Sequence, residues 1–110
     1  MEYNEIFSTQ NGTVYQLINK DHYQVNFGNI HMNITHAHLL KFKSFLAQSD
    51  KADIAKMKIL PSGKIVIVPS DGLIGYSFTE MEFTEFKILI QNSLAMIKIE
   101  TELNTILNYE

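Results

Sequence analysis

FGNIHMNITHAHLLKFKSFL (27–46) lies over DGLIGYSFTEMEFTEFKILI (71–90) when the chain is slid against itself by 44 positions. Gly28 then meets Gly72, Ile30 meets Ile74, Thr35 meets Thr79, Phe42 meets Phe86 and Lys43 meets Lys87. The order of roles matches better than the identities do: a turn glycine, an alternating strand, a threonine, then an amphipathic helix. Self-similarity at a fixed spacing marks a duplicated structural unit. The chain is therefore expected to be a single domain over residues 1–110, with repeats at about 13–48 and 57–92 and a helical extension over 93–109.

Within the first unit Ile30, Met32 and Ile34 alternate with His31 and Asn33, which predicts a half-buried strand. Ile74, Tyr76 and Phe78 repeat the pattern in the second. Thr79 followed by Glu82 is a capping box, in which hydroxyl and carboxylate satisfy free N–H groups of a helix start. Thr35 occupies the matching N-cap, with His38 where Glu82 stands. The first helix is predicted over His36 to Ala47, with Leu39, Phe42 and Leu46 on one face.

Working outward, Thr13 to Asn19 and His22 to Phe27 read as a hairpin across Lys20-Asp21, and Asn11-Gly12 is a hairpin turn closing an earlier strand through Ile6 to Thr9. In the second unit Lys56 to Leu60 and Lys64 to Val68 alternate with PSG and PSDG turns. The fold class is α+β: two successive strand-rich units each ending in a helix, a mostly antiparallel sheet with helices on one face.

Two stretches strain that picture. Ile65, Val66, Ile67 and Val68 are apolar in succession, which calls for cover on both faces of a strand. The C-terminal helix carries two stripes: Phe83, Phe86, Ile90, Leu94 and Ile97, and roughly opposite them Leu89, Met96, Ile99, Leu103 and Ile106. No Gly or Pro interrupts residues 80–110. One long helix whose second stripe meets another copy of the chain is the favoured reading. A helix broken near Gln91 to Leu94 and folded back is the alternative, and the alternation in IKIETEL leaves a terminal strand as a third.

Composition narrows function. The net charge is -3, every cation is a lysine, and there is no arginine for bidentate phosphate or guanine contacts, so nucleic-acid binding is not expected. Tyr15 and Tyr23 would have to share a sheet face to serve as a stacking platform. Lys41, Lys43, Lys51, Lys56, Lys58 and Lys64 cluster mid-chain against only Asp50 and Asp53, and the balance then turns acidic. The lysine cluster reads as solvated surface, with an acidic partner as the sharper option. No apolar run approaches the roughly 20 residues of a membrane span. There is no cysteine and no basic-then-apolar leader, so a cytoplasmic location is expected.

The chemistry-bearing candidates are few. His31, His36 and His38 crowd into eight residues and form the candidate metal set. His36 and His38, two apart on a helix, point in different directions, and a third ligand is needed for zinc. No cofactor is expected. Asp71, Glu80, Glu82 and Glu85 form an acidic set for a basic partner, although a helix start and a turn account for them without one. There is no glycine-rich phosphate loop and no nucleophile elbow, so the chain is read as a non-enzyme.

The stretch NGTVYQLINKDHYQVNFGNIHMNITHAHLLKFKSFL (11–46) resembles a small bacterial family with no assigned function, through the strand pair leading into FGNI, the polar N-cap and the amphipathic helix. Some members carry a cysteine pair where this chain reads LINKDH, so no metal role carries over with the resemblance. It implies a stand-alone small protein and no activity.

The resulting expectation is a small interaction protein, homodimeric through Leu89, Met96, Ile99, Leu103 and Ile106, with an unknown protein as a further possible partner. An acidic inhibitor or immunity-type protein and a histidine metal protein are the alternatives.

Overall fold

Alternating apolar and polar residues in the first half fold as an antiparallel meander: β1 (Tyr3–Ser8), β2 (Gly12–Leu17), β3 (His22–Phe27) and β4 (Ile30–Thr35), hydrogen-bonded in that order. Helix α1 (His36–Leu46) follows directly. A second meander, β5 (Ala55–Ile59), β6 (Ile65–Pro69) and β7 (Tyr76–Phe78), leads into α2 (Glu80–Leu107). This computed structural model describes residues 3–17, 21–47, 55–69 and 75–107. Gly72, Ile74, Asp71 and the PSDG turn beyond Pro69 lie outside them.

The two strand-rich units, each followed by a helix, are as the repeat predicts, and every strand pairing among the described residues is antiparallel. The strands form two sheets rather than one. Edge strands β4 and β7 stand beside each other across grooves lined jointly by Ile30–Ile34 and Tyr76–Phe78. No ladder among the described residues joins them. The repeat holds in element order and caps more than in strand register. His22 pairs with Thr35, so a strict copy would pair Val66 with Thr79, and Val66 instead pairs with Ser77. A slip of two keeps every side chain on its face.

The inner face of the first sheet presents Ile6, Val14, Tyr23, Val25 and Phe27, all buried. Its outer face is polar in cross-strand rows, Ser8–Thr13–Asn26–His31 and Glu5–Tyr15–Gln24–Asn33. Tyr15 therefore points outward and Tyr23 inward, and the two do not form one stacking platform. A polar face of this kind needs no cover. In β6 Ile67 is buried, while Val66 and Val68 on the other face are half-buried, directly across from Lys58 and Lys56. The close backbone of Gly75 adds cover, since a Cβ there would stand 3.2 Å from Val66 Cγ1 and 3.3 Å from Val68 Cγ2.

Both helices start on the expected threonines. The Thr35 hydroxyl accepts the His38 N–H at 3.2 Å. At α2 the capping box closes both ways: Glu82 N–H donates to Thr79 Oγ1 at 3.1 Å, and Thr79 N–H donates to Glu82 Oε1 at 2.8 Å. One apolar cluster joins both units. At its centre the Phe86 ring lies 5.4 Å from Phe27, 5.6 Å from Phe42 and 5.1 Å from Phe78. Phe42 and Phe86 are equivalent positions of the repeat. Equivalent residues of the two units are therefore in direct contact at the centre of the core.

Helix α2 runs unbroken over 28 residues, about 42 Å at 1.5 Å per residue. Neither the fold-back nor the terminal strand occurs. Phe83, Phe86, Ile90, Leu94 and Ile97 all face the core. So does Leu89, which corrects its assignment to the second stripe: it stands three residues from Phe86 and four from buried Ser93, and shares their face. The Asn11-Gly12 hairpin forms, but the glycine is required for a different reason than a left-handed turn. Gly12 is already in β2, and a Cβ on it would lie 2.8 Å from Leu89 Cδ2, 2.8 Å from Phe27 Cδ1 and 2.9 Å from the Asn26 carbonyl oxygen.

Gly12→Ala is expected to cost about 2 kcal/mol by overpacking against a backbone oxygen that cannot yield, read as a lower urea midpoint at unchanged slope. The Ser93 hydroxyl is buried and has no hydrogen-bond partner among the described residues. Ser93→Ala should therefore stabilise the chain by about 1 kcal/mol in the same titration.

Candidate functional site

The three clustered histidines are set by their elements, not by a shared ligand. His31 stands on the polar outer face of β4 and shares a 2.7 Å hydrogen bond through Nδ1 with Asn26 Oδ1, its cross-strand neighbour. His36, in the first turn of α1, is half-buried with its ring 6.0 Å from that of Tyr23. His38 is exposed, and its backbone N–H is the one capped by Thr35. Among the described residues no three His, Asp or Glu side chains stand together as a metal site would need. This weighs against the histidine metal reading.

The acidic set is also dispersed in role. Glu82 is committed to its capping box. Asp71 lies outside the described residues. Glu80 is exposed at the helix start, and its carbonyl accepts the Thr84 hydroxyl at 3.0 Å. Glu85 is the surprise. Its Oε2 accepts the Thr9 hydroxyl at 2.7 Å and the Asn11 N–H at 2.8 Å, and its Oε1 accepts Asn11 Nδ2 at 2.8 Å. One carboxylate thus ties the start of α2 to the β1–β2 turn. The Thr9 hydrogen bond is the main cause that holds the Glu85 carboxyl below its ordinary value; slight burial opposes it, and the two Asn11 bonds add to it. Elsewhere burial, then the Asp21 and Glu100 carboxylates, push the Tyr23 phenol up, so it stays protonated near neutrality.

What remains without an internal role is the outward face of α2. Beyond Ile97 no described side chain of the helix is buried, and only Glu100 is half-covered. Met96 is 37% exposed, Ile99 49%, Leu103 52% and Ile106 67%, a gradient that rises as the helix leaves the core. The radius of gyration, 15.0 Å, exceeds the ~13 Å of a compact chain of this length, as an overhanging helix requires. Beside the overhang a groove runs between the helices, floored by Leu40, Leu94, Ala95 and Ile97 and rimmed by Lys43 and Lys98. Leu40, 46% exposed, is a member of this surface that helical periodicity within α1 did not single out. Its signal was there as a leucine one step off the Leu39–Phe42–Leu46 face.

No helix among the described residues is long and apolar enough to cross a membrane.

The chain belongs to the DUF6686 family, a family of unknown function, which matches it over residues 1–108. The likeness thus extends well past residues 11–46. No curated protein and no solved structure matches it.

Because the Glu85 value is depressed on folding, its contribution is full above the ordinary carboxylate range and is lost as pH falls through the depressed value. Glu85→Gln is expected to destabilise by about 1 kcal/mol at neutral pH after allowance for solvent screening, and to flatten the acid limb of stability against pH. Denaturant titrations at a series of pH values read both effects.

Proposed function

We propose that this chain is a small non-enzymatic protein-interaction module that works as a homodimer, joined through the outward face of α2 beyond its own core. The carrying observation is the overhang: a continuous helix that beyond Ile97 has no buried side chain among the described residues and still presents Met96, Ile99, Leu103 and Ile106. An isolated helical segment this short is marginal in water, so its stability calls for packing of an apolar face. The four residues follow one another at steps of three, four and three, the spacing of a two-helix seam. A self-complementary patch on one helix is satisfied most economically by a two-fold copy of itself. A further protein partner, bound by the assembled dimer, and a cytoplasmic location belong to the same reading. The polar outer sheet face and the absence of arginine support neither nucleic acid nor membrane as the partner.

Sedimentation equilibrium of the full chain is expected to give a dimer, and the double variant Ile99→Glu, Leu103→Glu a monomer whose thermal unfolding remains cooperative. A wild-type monomer at every concentration, or a dimer indifferent to both substitutions, overturns the proposal.

A further inference from the structure

We propose that Asn11 is a site of spontaneous deamidation, that Glu85 holds the reaction back, and that the change of amide to carboxylate undoes the tie between the β1–β2 turn and α2.

Asn11-Gly12 is the only Asn-Gly pair in the chain. An asparagine followed by glycine is the sequence most open to this chemistry, because no Cβ shields the attacking nitrogen. The Gly12 nitrogen adds to the Asn11 side-chain carbonyl carbon, the bond to Nδ2 breaks, and ammonia leaves with the amide proton. Water then opens the cyclic imide at either carbonyl. The product is aspartate, or an isoaspartate whose main chain runs through the side-chain carbon. Asn11 is exposed, so water reaches it.

The fold imposes this labile pair and also guards it. Packing requires the glycine, since Leu89 Cδ2, Phe27 Cδ1 and the Asn26 carbonyl oxygen stand 2.8 to 2.9 Å from where a Cβ on Gly12 would be. Asn11 meets Glu85 with its main-chain N–H and with Nδ2, each at 2.8 Å. Nδ2 is the nitrogen that must leave. The Gly28 N–H donates to the Asn11 carbonyl at 3.0 Å and so fixes the peptide that joins Asn11 to Gly12. Ring closure therefore waits for local opening of the turn. After hydrolysis a carboxylate stands where Nδ2 met Glu85 Oε1. A donor has become an acceptor, and two negative charges face each other.

The full chain is held in warm, mildly alkaline buffer and followed by peptide mapping with isoaspartate detection. Asn11 is expected to convert ahead of the other asparagines, and about fivefold faster in Glu85→Gln, which loses one hydrogen bond to the turn. Conversion of other asparagines first, or the same rate at Asn11 in both chains, overturns the site and its guard. The consequence is read separately in Asn11→Asp. That variant is expected to unfold at lower urea than the wild type. Adding Glu85→Gln should recover part of the loss, since the glutamine amide can donate to the new carboxylate. A double variant no more stable than Asn11→Asp overturns the release of the turn by opposed carboxylates.

Discussion

The contact on which the fold depends is Phe42 against Phe86. Each is the same position of its own unit, and their rings meet 5.6 Å apart at the heart of the single apolar cluster. Neither unit closes a core alone. The four-stranded meander leaves Val14, Val25 and Phe27 uncovered unless α2 lies on it, and the three-stranded one leaves Ile67 and Phe78 bare. Phe86 reaches β3, α1 and β7 at once and so joins what the two sheets, lacking a common ladder, do not join by backbone bonds. The interior is held by edge-to-face and stacked rings contributed by both units, with dispersion and area burial as its principal stabilisation.

The two units depart from strict copies of each other in two places. Among the described residues β1 has no counterpart in the second unit, and α2 is 28 residues where α1 is 11. The two additions meet. Glu85 of α2 holds the β1–β2 turn through three hydrogen bonds, and the close approach at Gly12 lets Leu89 seat beneath it. The start of the long helix is thereby fixed, and its far end is left to project.

Much of this architecture was legible because it is local. Period-two alternation in residues 22–35, the Asn11-Gly12 hairpin, both threonine caps and the Thr79–Glu82 box are read within a few residues of themselves. The repeat spacing placed Phe42 and Phe86 in equivalent roles. What was not legible depends on distant encounters. Glu85 meets Asn11 across 74 positions, and nothing in a helix's first turns announces a loop so far away. Leu89 was misplaced because it lies at the border between two stripes, where only the width of the covering surface decides its side. The division into two sheets turned on whether β4 and β7 exchange hydrogen bonds, which alternation cannot express. The candidate surface was half legible: Met96, Ile99, Leu103 and Ile106 follow from periodicity, whereas Leu40 and the lysine rim emerge only when α1 is laid beside α2.

The stretch Ile65–Val68 has a consequence for the behaviour of the chain at high concentration. Four β-branched residues without a charge make the kind of segment that stacks into cross-β fibrils when exposed. Here it is the middle strand of its sheet, with both backbone edges taken by β5 and β7. The strand that faces outward, β5, carries Lys56 and Lys58 at alternate positions, and ammonium groups on an edge repel a second chain seeking to add itself there. Pro69 ends β6 and cannot donate to a further ladder. Protection against such stacking is thus a matter of strand order: the segment of four β-branched residues is the strand whose two backbone edges are both paired.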